Sequence, residues 1–127
     1  MTKRILATEK APAALGPYSQ GVAASGEMIF VSGQIPIDPA TGAPVEGDIA
    51  RQTTQCMDNI IAILAEAGAT AENIVKTTIY LKDMDNFGTV NEAYGKYFKG
   101  DAPARGCVEV ARLPKDMQVE IEAIAVL

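Results

Sequence analysis

An α+β fold, with two helices packed on one face of a mixed sheet, is what this 127-residue chain predicts. Three observations carry the prediction: segments that alternate apolar and polar with period two, two segments with period near 3.6, and an order that interleaves them. The elements run strand, strand, helix, strand, helix, strand, strand. No repeat or linker divides them, so residues 1–127 read as one domain, long enough for a single core.

Residues 5–7 make a short first strand, and residues 11–20, rich in Pro, Gly and Ala, make a loop. Glu27-Met28-Ile29-Phe30-Val31-Ser32 reads as a strand stopped by Gly33, and Pro36-Ile37-Asp38-Pro39-Ala40-Thr41-Gly42 has the composition of turns. From Asp48 the period changes. Ile49, Cys56, Ile60, Ile63, Leu64 and Ala67 share one helical face, with Asp48 as N-cap and Gly68 as the stop. Val75, Thr77, Ile79 and Leu81 then alternate with Lys76, Thr78, Tyr80 and Lys82, the pattern of a strand. Phe87, Val90, Tyr94 and Phe98 recur at helical spacing until Pro103 breaks the chain. Strands over residues 105–111 and 119–126, joined through Leu113-Pro114-Lys115-Asp116, complete the sheet.

The last strand bears on assembly. Val119, Ile121, Ala123 and Ala125 form one face, while Ile124 and Val126 stand beside Glu120 and Glu122 on the other. Two helices cover only one face of a sheet. A sheet apolar on both sides needs a further cover, and another copy of the chain is the simplest.

Composition narrows the function. The 16 acidic residues outnumber 11 Lys and Arg, so the basic surplus that neutralises phosphates is missing and nucleic acid is not expected as a partner. No apolar run approaches the roughly 20 residues of a membrane span. The start, Met1-Thr2-Lys3-Arg4-Ile5, lacks a signal peptide's apolar stretch. Cys56 and Cys107 form neither a CxxC nor a metal-type spacing; together these features predict a reduced, cytoplasmic setting. The chain has no histidine, which excludes Ser-His-Asp and Cys-His catalysis and removes the commonest zinc ligand.

The densest chemical candidates lie in the last third. Arg105 begins a strand of otherwise small or apolar residues, and its guanidinium fork matches a carboxylate in two hydrogen bonds. Glu120 sits between Val119 and Ile121, suited to order a water and accept its proton, with Glu122 on the same face as a competitor. Cys107, two residues past Arg105, shares its face and reads as a wall residue rather than a nucleophile. Tyr18 lies in the tight loop Gly16-Pro17-Tyr18-Ser19-Gln20-Gly21, its hydroxyl available to a ligand or to water. Ser32-Gly33 ends a strand where backbone approaches closely, and Asn91 interrupts the second helix's pattern, open to a capping or a substrate role. No GxGxxG or Walker segment offers a phosphate cradle.

Taken in order, these segments resemble the YjgF/YER/RidA family. The resemblance rests on Gly16 to Gly21, Ser32-Gly33-Gln34-Ile35-Pro36, Val75-Lys76-Thr77-Thr78, Phe87-Gly88-Thr89-Val90-Asn91, Pro103-Ala104-Arg105 and Val119-Glu120-Ile121-Glu122-Ala123. Within the family it is most similar to the 2-iminobutanoate/2-iminopropanoate deaminases. The resemblance implies a chorismate-mutase-like sheet trimerising through its uncovered face, with sites in the clefts between subunits. It implies hydrolysis of 2-imino acids and enamines released by pyridoxal-phosphate enzymes, giving 2-oxo acids and ammonia without cofactor or metal. Carried over by motif, Arg105 would bind the substrate carboxylate and Glu120 would handle water, while Tyr18, Ser32, Gly33, Asn91 and Cys107 would line the pocket. Gly106 departs from the family's usual small side chain and places the rate or substrate preference in question. The competing expectation is a carboxylate-binding, chaperone-like or regulatory trimer; endoribonuclease activity ranks lower.

One difficulty stands beside the resemblance. A hairpin symmetric about residues 113–117 would set Glu120 opposite Val110, roughly 16 Å from Arg105 at about 3.3 Å per residue. Either the hairpin is bulged or offset, or the two side chains meet across subunits.

Overall fold

The computed structural model describes residues 2–127. Strand β1 (Thr2–Leu6) pairs antiparallel with β2 (Gly21–Ser25), a strand the sequence does not announce because Gly21-Val22-Ala23-Ala24-Ser25 carries no polar alternation. Strand β3 (Met28–Gln34) runs on through Gly33 rather than stopping there. The expected turn region holds a miniature hairpin, β4 (Ile37–Asp38) with β5 (Ala43–Pro44).

Helix α1 (Ile49–Glu66) starts where its cap predicts: the Asp48 carboxylate accepts the Arg51 N–H at 2.9 Å. It ends at Gly68, whose φ of +76° is left-handed, with the Ala69 N–H closing on the Leu64 carbonyl at 3.0 Å. Its buried stripe is Thr53, Cys56, Met57, Ile60 and Leu64. Ile63, assigned to that face from the spacing, is 40% exposed, and Met57 fills the core in its place.

Strand β6 (Ile74–Leu81) leads to helix α2 (Phe87–Gly95), then to β7 (Ala104–Glu109) and β8 (Val119–Val126). The main sheet has the order β3-β8-β6-β7. β8 is antiparallel to both neighbours and β6 is parallel to β7, so the sheet is mixed as predicted. The parallel pair requires a crossover, and α2 supplies it.

The expected hairpin between the last two strands does not form, because β6 lies between them. The connection is stitched to the end of β6 instead of closing on itself. The Val110 N–H donates to the Leu81 carbonyl at 2.8 Å, and the Lys82 N–H donates to the Gln118 carbonyl at 3.0 Å. Lys115 and Asp116, at φ of 55° and 56°, turn the chain across that strand end.

The core lies between the helices and one sheet face. Ile60, Leu64, Ile79, Leu81, Tyr94 and Ile121 are fully buried there; truncating one such Ile or Leu to Ala costs about 2–5 kcal/mol. Phe98 lies past the end of α2 yet still packs on Tyr94, with ring centroids 4.9 Å apart. On the opposite face, Phe30 is 68% and Met28 56% exposed. The open face therefore carries exposed apolar side chains on β3, whereas on β8 Ile124 is half-buried and Val126 is already buried within the chain. Among the described residues no helix is long and apolar enough to cross a membrane.

Candidate active site

Arg105 aligns with Thr77 across the parallel β6–β7 pair, so both side chains leave the sheet on the helix side. There α2 presents Phe87, Asn91 and Tyr94, one helical stripe at i, i+4 and i+7. Arg105 Nη1 donates to Asn91 Oδ1 at 2.5 Å. The guanidinium carbon lies 5.2 Å from the Tyr18 ring centre and 5.5 Å from those of Phe87 and Tyr94. Tyr94 is fixed in turn by a 2.7 Å hydrogen bond with the Thr77 hydroxyl. Burial pushes its phenol up to about 12, against the opposing pull of Thr77 and Arg105, so it is a neutral wall rather than a counter-charge.

Among the described residues no carboxylate pairs with Arg105, and Asn91 is its one hydrogen-bond partner. A half-buried guanidinium with five donors and a single neutral partner has lost hydration without regaining a charge. An anionic ligand would supply what is missing, and the aromatic faces hold the fork still meanwhile.

Two further predicted residues join this cluster. Cys107, level with Ile79, sits on the same face at the edge of the core. Burial raises its thiol pKa although Arg105 opposes the shift, so it remains protonated at neutral pH and lacks a thiolate's nucleophilicity. Tyr18 arrives on the loop before β2. Ser19 binds that loop to the segment entering β7, through its hydroxyl to the Ala102 carbonyl at 2.5 Å and its N–H to the Pro103 carbonyl at 3.1 Å.

Ser32, Gly33 and Glu120 occupy the other side. β3 bulges between Val31 and Gln34, so that Ser32 and Gly33 oppose one residue of β8. Glycine at position 33 leaves the Glu120 carboxylate its present place, since an added Cβ would displace that side chain. Glu120 aligns with Tyr80 on the uncovered face. The two competing glutamates now separate. Glu122 accepts the Tyr80 hydroxyl at 2.6 Å, a contact that is the main reason the Tyr80 pKa is raised. The Glu120 carboxylate takes no side-chain hydrogen bond among the described residues.

The chain therefore gathers Arg105, Asn91, Tyr18 and Cys107 on one side and Ser32, Gly33 and Glu120 on the other. Arg105 and Glu120 lie two strands and three residues apart in register, roughly 14 Å between Cα atoms, and point to opposite faces. A cavity of about 260 Å³ on the open face is lined by Phe30, Ser32, Lys76, Thr78, Glu122 and Ile124 among others, and includes neither Arg105 nor Glu120. No group of three or more metal-ligating side chains occurs among the described residues. Gly106 points to the open face, where an added Cβ meets nothing within 4 Å, so Arg105 is oriented by its own contacts rather than by the size of its neighbour. Sequence reasoning missed Phe87 and Tyr94 as walls of the arginine pocket, reading them only as part of a helical period. The signal was present in the i, i+4, i+7 stripe they share with Asn91.

Fold and site define a two-helix, mixed-sheet fold with an arginine near a sheet edge that has no carboxylate partner among the described residues. Residues 8–127 match the family model described as endoribonuclease L-PSP. A RutC family protein from Pyrococcus abyssi is 55% identical over 125 residues, covering 98% of both chains. The 2-iminobutanoate/2-iminopropanoate deaminase of Escherichia coli K12 is 54% identical over 126 residues, covering 97% of both. The crystal structure of E. coli TdcF with bound serine superposes with a TM-score of 0.76 at 44% identity, covering 98% of both. The chain belongs to this family, the YjgF/RidA group. Relatives in it are named as imine deaminases, others only as RutC family proteins.

Proposed function

We propose that this chain hydrolyses 2-imino acids and their enamine tautomers, such as 2-iminobutanoate and 2-iminopropanoate released by pyridoxal-phosphate enzymes, to 2-oxo acids and ammonia. The observation that carries the proposal is the half-buried Arg105 guanidinium, fixed by Asn91 and three aromatic rings and paired with no carboxylate among the described residues. That arrangement suits a small carboxylate. The named deaminase relatives and the serine-bound TdcF structure point to the same ligand class.

In this reading Arg105 takes the substrate carboxylate in its fork, with Tyr18 and Cys107 lining the pocket and Ser32 and Gly33 bordering the water's side. A protonated imine carbon is already electrophilic, so a histidine-free chain suffices. Water attacks that carbon while Glu120 accepts its proton, giving a carbinolamine. The proton returns to nitrogen, the C–N bond breaks, and the hydroxyl proton passes through the base to the departing ammonia, so that the products are 2-oxo acid and ammonium and Glu120 is again a carboxylate. Holding the carboxylate and orienting one water lowers the barrier by proximity, and the carboxylate base adds roughly 10²–10⁴-fold.

Because Arg105 and Glu120 face opposite sides of the sheet, the reading requires a second copy to complete each site. We therefore infer a homotrimer closed over the exposed Met28 and Phe30 face, with each cleft shared between neighbours and the protein working in the cytoplasm. The deciding experiment couples the protein to a threonine dehydratase and times 2-oxobutanoate release. Faster release with the protein than without it is the expected result. Binding of 2-oxobutanoate with no acceleration would instead favour a carboxylate-binding or regulatory trimer. RNA cleavage that co-purifies with the assembled protein and disappears with Arg105→Ala would restore the ribonuclease reading.

A further inference from the structure

We propose that Gln20 is a positioning residue that holds Tyr18 as a hydrogen-bond donor beside Arg105, acting through the loop of residues 8–18. The proposal rests on the reading of Arg105 as a carboxylate anchor.

The whole Gln20 amide is spent on backbone. Its Oε1 accepts the Thr8 N–H at 2.6 Å. Its Nε2 donates to the Pro12 carbonyl at 2.6 Å and makes longer contacts to the carbonyls of Thr8 (3.1 Å) and Ala11 (3.3 Å). These bonds fasten residues 8–12, a stretch of turns and irregular backbone between β1 and Gly16. The loop's own apolar side chain does not help, since Leu15 is 90% exposed. A loop this short on packing is ordered only if polar contacts offset its lost conformational entropy.

The path from Gln20 to the pocket is continuous. Three residues past the pinned Pro12 carbonyl, the Leu15 N–H donates to the Tyr18 hydroxyl oxygen at 3.4 Å. The Tyr18 ring faces the Arg105 guanidinium at 5.2 Å. On the far side, Ser19 grips the carbonyls of Ala102 and Pro103, three and two residues before Arg105. Tyr18 thus stands where two anchored stretches of chain meet.

The chemistry of the hydroxyl follows from what it accepts. A phenol oxygen that receives a backbone N–H keeps its own O–H for donation. Among the described residues the Tyr18 hydroxyl donates to no acceptor. Its proton is available to a carboxylate in the Arg105 fork, and Gln20 sets where that proton lies.

The test is a double-mutant cycle on ligand binding, read by calorimetry with 2-oxobutanoate as the probe. Tyr18→Phe and Gln20→Ala should each weaken binding about fivefold, within the range of one hydrogen bond. Their combination should be no weaker than Tyr18→Phe alone, because Gln20 acts through that hydroxyl. Losses that multiply in the double variant, or no loss in Gln20→Ala, overturn the proposal; a merely structural glutamine gives the multiplied result. Thermal unfolding establishes that each variant is folded. If Gln20→Ala is not, Gln20→Glu takes its place with the same expectation, keeping the acceptor for Thr8 and losing the donations. Arg105→Ala separates the two levels. Binding unchanged in that variant overturns the anchor reading and this proposal with it, whereas loss there without loss in Gln20→Ala overturns only the role of Gln20.

Discussion

The two faces of the main sheet treat their charged residues in opposite ways. On the helix side, Arg105 is met by side chains from α2 and the loop before β2, with Tyr94 fixed by Thr77 and the loop tied by Ser19. On the open side, Glu120 has a bulge and a missing Cβ beside it, and exposed Phe30 and Met28 lie on the same face. One half of the proposed site is finished within a chain and the other is left incomplete. The difference teaches where to look for assembly. Rigidity can be built locally, but the second wall has to come from outside the chain.

The largest effect is expected from the finished half. Arg105→Ala should lower kcat/KM about 10³-fold, in line with the roughly 2–5 kcal/mol attached to a desolvated charged contact. Steady-state kinetics on freshly generated 2-iminobutanoate measures it, and a rate near wild type would remove Arg105 from the mechanism. Glu120→Gln should fall by about 10²-fold in kcat while 2-oxobutanoate still binds, because it removes the base and leaves the anchor.

These two variants together examine the contrast itself. If each site takes its arginine from one subunit and its glutamate from the next, random mixed oligomers of Arg105→Ala and Glu120→Gln contain about one intact site in four in any closed ring. Co-refolding the two inactive proteins should restore about a quarter of wild-type activity. Mixtures that stay inactive would show that both groups serve the same chain.

How far the sequence disclosed this arrangement depended on whether a signal was local. Asp48 as a cap, Gly68 as a stop and the alternation through β6 were legible because each element carries its own signature. The pairing of strands was not. Residues 105–126 suggest a hairpin, and only the pairing of β6 with both strands, continued by the hydrogen bonds of Val110 to Leu81 and Lys82 to Gln118, shows β6 inserted between them. β2 was missed because Ala and Gly carry no period. Within one strand, parity placed Cys107 on the face of Arg105 in advance, yet which candidates from different strands share a face could not be read, since that follows from register across non-consecutive strands. Phe87 and Tyr94 show the reverse: helical spacing revealed their stripe, and a helical period alone was enough to explain it.

A smaller effect tests what keeps the arginine in place. Asn91→Ala removes its one hydrogen bond among the described residues and leaves the three aromatic faces. A hydrogen bond to a charged group contributes about 1.5–3 kcal/mol, and the rings retain part of the orientation. Activity should fall roughly tenfold, chiefly in KM. A loss as large as that of Arg105→Ala would mean that the rings hold nothing by themselves.

Gly106 is the least consequential substitution and the most useful control. It alternates with Arg105 along β7, so it projects to the open face while Arg105 projects to the helices. Its backbone is not left-handed, and an added Cβ finds open space. Gly106→Ser therefore changes neither the strain nor the contacts of Arg105 within the chain, and substitutions of that kind stay within about 0.5 kcal/mol. Turnover on 2-iminobutanoate should change by no more than about twofold. A larger change would require Gly106 to be met from the open face, which a neighbouring subunit could do and this chain alone cannot; comparing the oligomeric state of Gly106→Ser with wild type by sedimentation then decides whether the lost activity follows lost assembly.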